Sequence, residues 1–326
     1  MPSPWVALVA LGVVASACGG TLDAGDDSPR GPLPVDDRNP IILCNDGYQD
    51  NWQGEYAILL ANSGGPALAG IIINDSGPWP DINANLAGWK KMVQAALDSH
   101  LRNIPDPIAS VGLKLVQPSD SKIESTQPNN SAGANLIVNL SRKLARPYRP
   151  VVVVTGGRLT DVADAYLIDP TVPERVVVVS ALGTTTASGG GEMGMPNGEM
   201  DNWADLIVTK KFRYVQVSSY YDQPGDVTTD LLAQLPDNPF VSWIAKKQPQ
   251  IWNDPRAADQ VAVAAVAIKG YALLAPKVTQ QGVTASKYPA LVLDTAGPSW
   301  LVTSSASAMA TSRLWNALLD PATFAQ

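Results

Sequence analysis

The sequence predicts a single α/β domain with a mostly parallel central sheet flanked by helices. Three observations carry this. Short, almost purely apolar runs, IILC (41–44), PVVVVTGG (150–157) and ERVVVVSALG (174–183), read as strands buried on both faces. Longer stretches with helical spacing separate the strands. Polar residues follow the strands: Asn45, Asp46 and Asp50 after the first, Asn74 and Asp75 after the second, Thr155 after PVVVVTGG. Ligands of such sheets bind outside the carboxyl ends of the strands, so these residues are expected to share one cleft.

The elements follow in order. IILC is the first strand. EYAILLANS (55–63) has helical spacing, and ALAGIIIN (67–74) is a second, Ile-rich strand. ANLAGWKKMVQAALDSHL (84–101) is amphipathic, with Leu86, Trp89, Met92, Val93 and Ala96 on one side. NLIVNLSRKLA (135–145) reads as a helix. PVVVVTGG is the strongest strand and stops on a Gly-Gly turn. LTDVADAYLID (159–169) is a helix and ERVVVVSALG a strand. ASGGGEMGMPNGEMDNWAD (187–205) is a Gly-rich loop, read as functional rather than as a linker, running into a helix near 203–211. YVQVSSY (214–220) is a fifth strand. DQVAVAAVAIKGYALL (259–274) is a helix followed by a short segment, and the chain closes with a strand near 290–294 and a helix around 306–319. No internal repeat is visible.

The 326 residues are 45% hydrophobic and 16% charged, enough for a sizeable core. A net charge of -7 argues against a nucleic-acid partner, because phosphate binding wants a basic face. Residues 1–18 hold an apolar run of about a dozen residues, short for a membrane span. Ala15-Ser16-Ala17 before Cys18, with Gly19 and Gly20 after it, resembles a bacterial lipoprotein signal, in which the cysteine is lipidated. An ordinary secretory signal is the alternative, and a cytoplasmic protein a third. Residues 19–38, rich in Gly, Pro, Asp and Ser, read as a flexible acidic tether. The folded domain is then 39–326, held at the bacterial cell envelope through lipid alone, or else secreted. With Cys18 assigned to lipid, Cys44 has no disulfide partner and reads as a small buried hydrophobe.

Asp46, Asp50 and Asn51 fall within six residues on a strand-to-helix turn. Two carboxylates and an amide so close suit a hard divalent cation such as calcium. Alternatively they are the polar N-terminus of a helix, capping backbone N–H groups. Trp79, after the second strand, could stack on a base or sugar ring or pack in the core. Trp89, at helical spacing with Leu86 and Val93, reads as core; Trp52, Trp203 and Trp252 add no further signal. His100, the one histidine, reads as a surface residue.

IILCNDGYQDN (41–51) resembles the opening signature of the inosine–uridine nucleoside hydrolase family, an apolar strand leading into Asp-x-Asp-Pro-Gly-x-Asp-Asp. Without gaps, Cys44 stands at the first Asp, Asp46 at the second, Asp50 at the third and Asn51 at the fourth. VVVVTGGRLTDVADAYLIDP resembles the family's strand, Thr-Gly-x-Leu-Thr-Asn and helix, with Thr155 at the residue whose carbonyl binds calcium. GEMDNWAD resembles Glu-Phe-Asn-x-x-x-Asp, placing Glu199 and Asp201 at sugar contacts. ADQVAVAAV resembles His-Asp-Pro-x-Ala-Val-Ala, with Asp259 at the last calcium ligand, and TSRLWNALLD resembles the closing helix. The four motifs come in order over residues 39 to 326.

The resemblance implies a nucleoside hydrolase-like fold and a calcium ion that holds the ribose 2′- and 3′-hydroxyls and a water. Asp46, Asn51, Thr155 and Asp259 would bind the metal. Asp46 would also be the general base, Asp50 would grip the ribose hydroxyls, and Glu199 and Asp201 would orient the sugar. The substrate would be a small riboside, cleaved at its N-glycosidic bond. A homo-oligomer is also open, since family members commonly form dimers or tetramers. The departures cluster in this site. Asn51 offers one oxygen and no charge where an Asp is expected, which weakens calcium. Cys44 is a poor partner for a hard cation and is expected to pack beneath the site. Asp201 replaces a neutral Asn. Ala258 stands where some members place a His that protonates the leaving base. Besides a hydrolase, a non-catalytic sugar- or nucleoside-binding lipoprotein and a cell-surface interaction protein with a degenerate site therefore remain.

Overall fold

The computed structural model describes residues 28–47, 52–77, 79–110, 113–181, 185–186, 197–217, 233–244, 259–281 and 290–325. Its centre is a ten-stranded sheet. In chain order the strands are β1 (Ile41–Asn45), β2 (Leu68–Ile73), β3 (Pro107–Ala109), β4 (Val151–Thr155), β5 (Val176–Ala181), β6 (Thr185–Thr186), β7 (Arg213–Val217), β8 (Ala272–Leu274), β9 (Lys277–Gln281), β10 (Ala290–Leu293), β11 (Ser299–Val302) and β12 (Ser304–Ser305). The sheet order is β3-β2-β1-β4-β5-β7-β11-β9-β10-β6, and β8 and β12 form a separate antiparallel pair. Strands β3 through β11 in that order are all parallel to their neighbours; only β9 runs antiparallel to β11 and β10.

The expected α/β architecture is therefore present. Strands β1, β4 and β5 are buried at every residue, as continuous apolar runs with covered faces require. β4 ends at Thr155, just before the Gly-Gly turn, while residues 182–183 and 218–220, the tails of the strands expected at 174–183 and 214–220, lie outside the described residues. The strands β3, β9 and β11 were not expected: β3 is three residues long, β9 is mostly polar, and the apolar run of β11 is confined to Trp300, Leu301 and Val302. The short segment expected after the helix within 259–274 is β8.

The helices are α1 (Trp52–Ala61), α2 (Ile82–Asp98), α3 (Ala132–Leu144), α4 (Thr160–Ile168), α5 (Asn202–Lys211), α6 (Gln260–Ala267) and α7 (Ser307–Leu319). Side-chain caps start several of them. Asp81 accepts from the N–H groups of Asn83 and Ala84 at α2, and Ser131 accepts from Ala134 N–H at α3. Helices α1, α2, α6 and α7 cover one face with Ile41 and Leu43; α3, α4 and α5 cover the other with Ile42 and Cys44. The alternation along β1 thus sends Cys44 toward α3 and α4. Among the described residues no helix is long and apolar enough to cross a membrane. The signal at 1–18, including Cys18, lies outside the described residues.

Residues 28–38, read from the sequence as part of a flexible tether, pack against the domain. Leu33 and Val35 are buried in the core beside α6. Arg38 clasps Asp36 at 2.6 Å, and Asn39 donates to the Pro150 carbonyl at 2.8 Å. The two aliphatic residues supply the driving force that the polar composition around them hides.

An ion cluster fastens α3 to the loop before β5. Asp169 accepts from Arg142 and Arg175, both at 2.7 Å, and from the Thr171 hydroxyl at 2.6 Å. Burial alone would raise its carboxyl, but the bonds from Thr171, Arg142 and Arg175 outweigh burial and hold it at about 2, below the ordinary 3.8. A depressed folded-state pKa gives stability that is present above the unfolded value and lost as pH falls through the folded one. Arg142 is largely exposed, which reduces the gain. Asp169→Asn should thus cost about 1–2 kcal/mol at pH 7, and the difference from wild type should vanish between pH 4 and 2. Urea melts across that range check it.

Candidate functional site

Strands β1, β2 and β3 run to one side of the sheet and β4, β5 and β7 to the other, so the chain order reverses between β1 and β4. Adjacent parallel strands whose connections leave in opposite directions open a crevice at their carboxyl ends. Cys44 and Thr155 are direct partners across this seam, and Gly156 N–H donates to the Cys44 carbonyl at 3.0 Å.

The Gly156–Gly157 turn gathers the site. A Cβ on Gly156 would stand 2.5 Å from Asn45 Nδ2 and 2.7 Å from both Cβ and Cγ of Asp259. On Gly157 it would stand 3.1 Å from Asn74 Oδ1, 3.2 Å from Asp46 N and 3.3 Å from Asp46 Cβ. Only glycines let four functional side chains approach this closely. Asp46, Thr155 and Asp259, predicted as metal ligands, are thus brought to one place, and Asn45 and Asn74 join them. All five are buried.

Asp259 holds a left-handed backbone, φ 67° and ψ -21°, at the start of α6. Its carbonyl accepts from Ala262 N–H at 3.2 Å and from Gln53 Nε2 at 3.5 Å. Gln53 Oε1 in turn accepts from Asn45 Nδ2 at 3.0 Å, so α1, β1 and α6 are tied at the cleft. A left-handed conformation is unfavourable for most residues, though Asp tolerates it. Asp46 Oδ1 accepts from Gly47 N–H at 2.9 Å, and the Gly47 carbonyl accepts from the indole N–H of Trp89 at 2.9 Å. Trp89 is core, as expected, and it also braces the turn that carries Asp46.

The donors present suit a hard cation. They are carboxylates at Asp46 and Asp259 and the buried amide oxygens of Asn45 and Asn74, which have no hydrogen-bond partner among the described residues, nor does the Thr155 hydroxyl. Calcium takes such oxygen ligands, neutral and charged. Two carboxylates do not make a complete site: among the described residues no group of three or more His, Cys, Asp or Glu could hold a metal ion. Asp50 and Asn51 lie outside the described residues, as does Ala258. Glu199 lies on a 3-10 turn, Asn197–Asp201, and its side chain is not described.

Asp201 caps α5. Its Oδ1 accepts from Ala204 N–H at 3.1 Å; Oδ2 accepts from Leu115 N–H at 2.9 Å and the Thr160 hydroxyl at 2.7 Å. A carboxylate has about four acceptor sites, so roughly one remains. Asp201 in this arrangement clasps the 113–117 loop, α4 and α5 together. Trp79 is half-buried, with its N–H and carbonyl locked to Ser76 and its carbonyl also accepting from Asn85. His100, just past the end of α2, is exposed, as expected.

Beneath the cleft lies a network that the sequence did not announce. Asp161 on α4 is fully buried and accepts the hydroxyls of Ser110 at 2.5 Å and Ser131 at 2.8 Å. Asn74 Nδ2 donates to Asp161 Oδ2 and to Cys44 Sγ, both at 3.4 Å. Burial raises the Asp161 carboxyl, opposed by these bonds and by the Arg158 charge. Burial, then the negative charges of Asp161 and Asp46, push the Cys44 thiol well above its ordinary value, so Cys44 stays protonated. Cys44 is buried beneath the site, as the poor match of thiol to hard cation suggested. Arg158, 5% exposed, pairs with Asp75 at the rim. The sequence offers no separate signal for this network, because Asp161 is one of two buried carboxylates on α4, the other, Asp164, accepting from the N–H groups of Asn129 and Ser131.

No protein-family model matches the chain, and no curated protein matches it by sequence. Solved structures do match by shape. An inosine-guanosine nucleoside hydrolase superposes with a TM-score of 0.60 at 19% identity, over 85% of this chain and 98% of its own. An inosine-uridine preferring nucleoside hydrolase from Bacillus anthracis gives 0.59 at 13% identity, over 86% and 99%. The type III effector protein XopQ, complexed with adenosine diphosphate ribose, gives 0.54 at 13% identity, over 91% and 96%. At such identities the likeness speaks for architecture, and it spans nearly the whole of each relative: the chain has the nucleoside hydrolase fold.

Proposed function

We propose that the chain is an N-glycosyl hydrolase acting on a ribonucleoside or related riboside, with calcium in the crevice between β1 and β4. The observation that supports it most is the closeness of Asp46 and Asp259 around Gly156–Gly157, beside buried amide oxygens that no donor among the described residues uses. The nucleoside hydrolases among the fold's neighbours support it further. In this reading Asp46, Asn51, the Thr155 carbonyl and Asp259 hold the ion. Bound calcium supplies charge that grips vicinal hydroxyls and makes a water more acidic. Asp46 takes the proton of the attacking water. Asp50 accepts from the ribose hydroxyls. Glu199, and Asp201 through its one spare acceptor site, stabilise positive charge developing on the sugar. Asn51 in place of a carboxylate makes calcium affinity weak. Lipidation at Cys18 would hold the protein at the cell envelope.

A second reading, a non-catalytic riboside-binding lipoprotein, is favoured by Ala258 and by a thiol at Cys44 where the sequence pattern expects an acid. The two separate on turnover. With saturating calcium, a hydrolase releases base from at least one member of a riboside panel, and chelation stops it. Binding without turnover appears as a riboside-induced rise in melting temperature with no base released. Neither response from any riboside would contradict both readings.

A further inference from the structure

We infer that Asp161 is the positioning residue of the cleft: it carries the buried charge that the sequence pattern would place at residue 44, and it fixes which end of the Asn74 amide faces Asp46. The inference deepens the proposed site and rests on that reading for its functional arm only.

Asn74 is almost fully buried, so its amide must choose a direction. Its Nδ2 lies 3.4 Å from Asp161 Oδ2 and 3.4 Å from Cys44 Sγ. Its Oδ1 lies on the opposite side, against Gly157, where Asp46 also approaches. A carboxylate can only accept, and a thiol accepts weakly, so both favour the amide nitrogen. Turning the amide over would set its oxygen against the carboxylate and remove the one acceptor oxygen it offers the cleft.

Asp161 is itself held firmly. Both hydroxyls that it accepts come from serines whose oxygens take a backbone N–H, Gly133 on Ser110 at 3.0 Å and Ala134 on Ser131 at 3.2 Å. Each serine proton is thereby committed to Asp161. A carboxylate at 44 could do the same for Asn74 from the other side, but not together with Asp161. Cys44 Sγ is 3.8 Å from Asp161 Oδ2, and two buried carboxylates at that spacing repel. The thiol at 44 and the carboxylate at 161 are therefore one arrangement, in which the single charge sits on α4 instead of β1.

The test is a double-mutant cycle in the full chain with Asp161→Asn, Cys44→Asp and both together. Asp161→Asn leaves the amide without its anchor, and Cys44→Asp adds a second buried charge. Each alone should lower the melting temperature by roughly 5 °C or more. The pair restores one carboxylate, and an Asn at 161 can donate to it while accepting from the serines. The double variant should return to within about 2 °C of wild type, an outcome that independent sites cannot give. Calcium affinity by calorimetry should fall about tenfold in Asp161→Asn and recover in the double variant. Additive losses of melting temperature would overturn the inference, as would unchanged calcium affinity in Asp161→Asn where the wild type binds. If the wild type binds no calcium, the metal reading fails and the melting cycle alone decides the exchange.

Discussion

Trp89→Ala is expected to be the most damaging single substitution short of the site's own ligands. The indole is fully buried between α1 and the 44–47 turn, and Gly54 packs so tightly on it that a Cβ there would stand 2.6 Å from the ring. Truncation removes the largest fully buried side chain of the described residues and leaves a cavity beside the cleft. The expected loss is about 3–5 kcal/mol. It also frees the Gly47 carbonyl, whose indole partner steadies the residue after Asp46. Calcium affinity should therefore fall along with stability. Trp89→Phe separates the two contributions: most of the volume stays and the hydrogen bond goes, at about 1 kcal/mol. Denaturant melts and calorimetry on both variants check this. Equal calcium affinity in wild type and both variants would show that the turn does not depend on its brace.

Gly156→Ala is expected to act with the second largest effect, and on the site itself. The added methyl meets Asp259 at its Cβ and Cγ, both at 2.7 Å, so no rotation of a distant side-chain end relieves it. Either α6 withdraws or the β4 turn moves, and both separate Asp46 from Asp259. Overpacking of this kind costs about 1–3 kcal/mol. The larger consequence is for the ligand: loss of calcium binding and of any riboside turnover, with the protein still folded at 25 °C by circular dichroism. A variant that binds calcium as wild type does would mean that the two carboxylates do not act together.

Much of the sheet was legible because burial on both faces leaves a mark on the sequence. The Val runs of β4 and β5 and the Ile-rich β2 could hardly be anything else. β9 and β11 left too faint a mark. KVTQQ is mostly polar and SWLV holds three apolar residues in a row, and β11 joins the sheet through β7, far along the chain. Residues 28–38 misled for a related reason: two aliphatic side chains, Leu33 and Val35, outweigh a composition typical of tethers.

The expected ligands were legible in the sequence and their supports were not. Asp46 and Thr155 stand after strands, Asp259 stands in a motif that opens a helix, and the fold brings the three together. Gly156 read as a simple turn residue, because close approach to Asp259 from a distant segment cannot be seen in either segment alone. Asp161 and its serines were invisible for the same reason: a buried polar network is assembled from β3, α3 and α4, none of which carries a motif for it. Asp201 did carry a signal. An Asp immediately before a helix is a preferred N-cap, and the side chain caps α5.

The central claim is that the crevice between β1 and β4 holds a divalent cation through Asp46. Calorimetry with calcium on the full chain and on Asp46→Ala tests it most directly. A weak but saturable heat is expected for wild type and none for the variant, with both folded. Absence of binding by wild type at millimolar calcium, or equal binding by the variant, would contradict it.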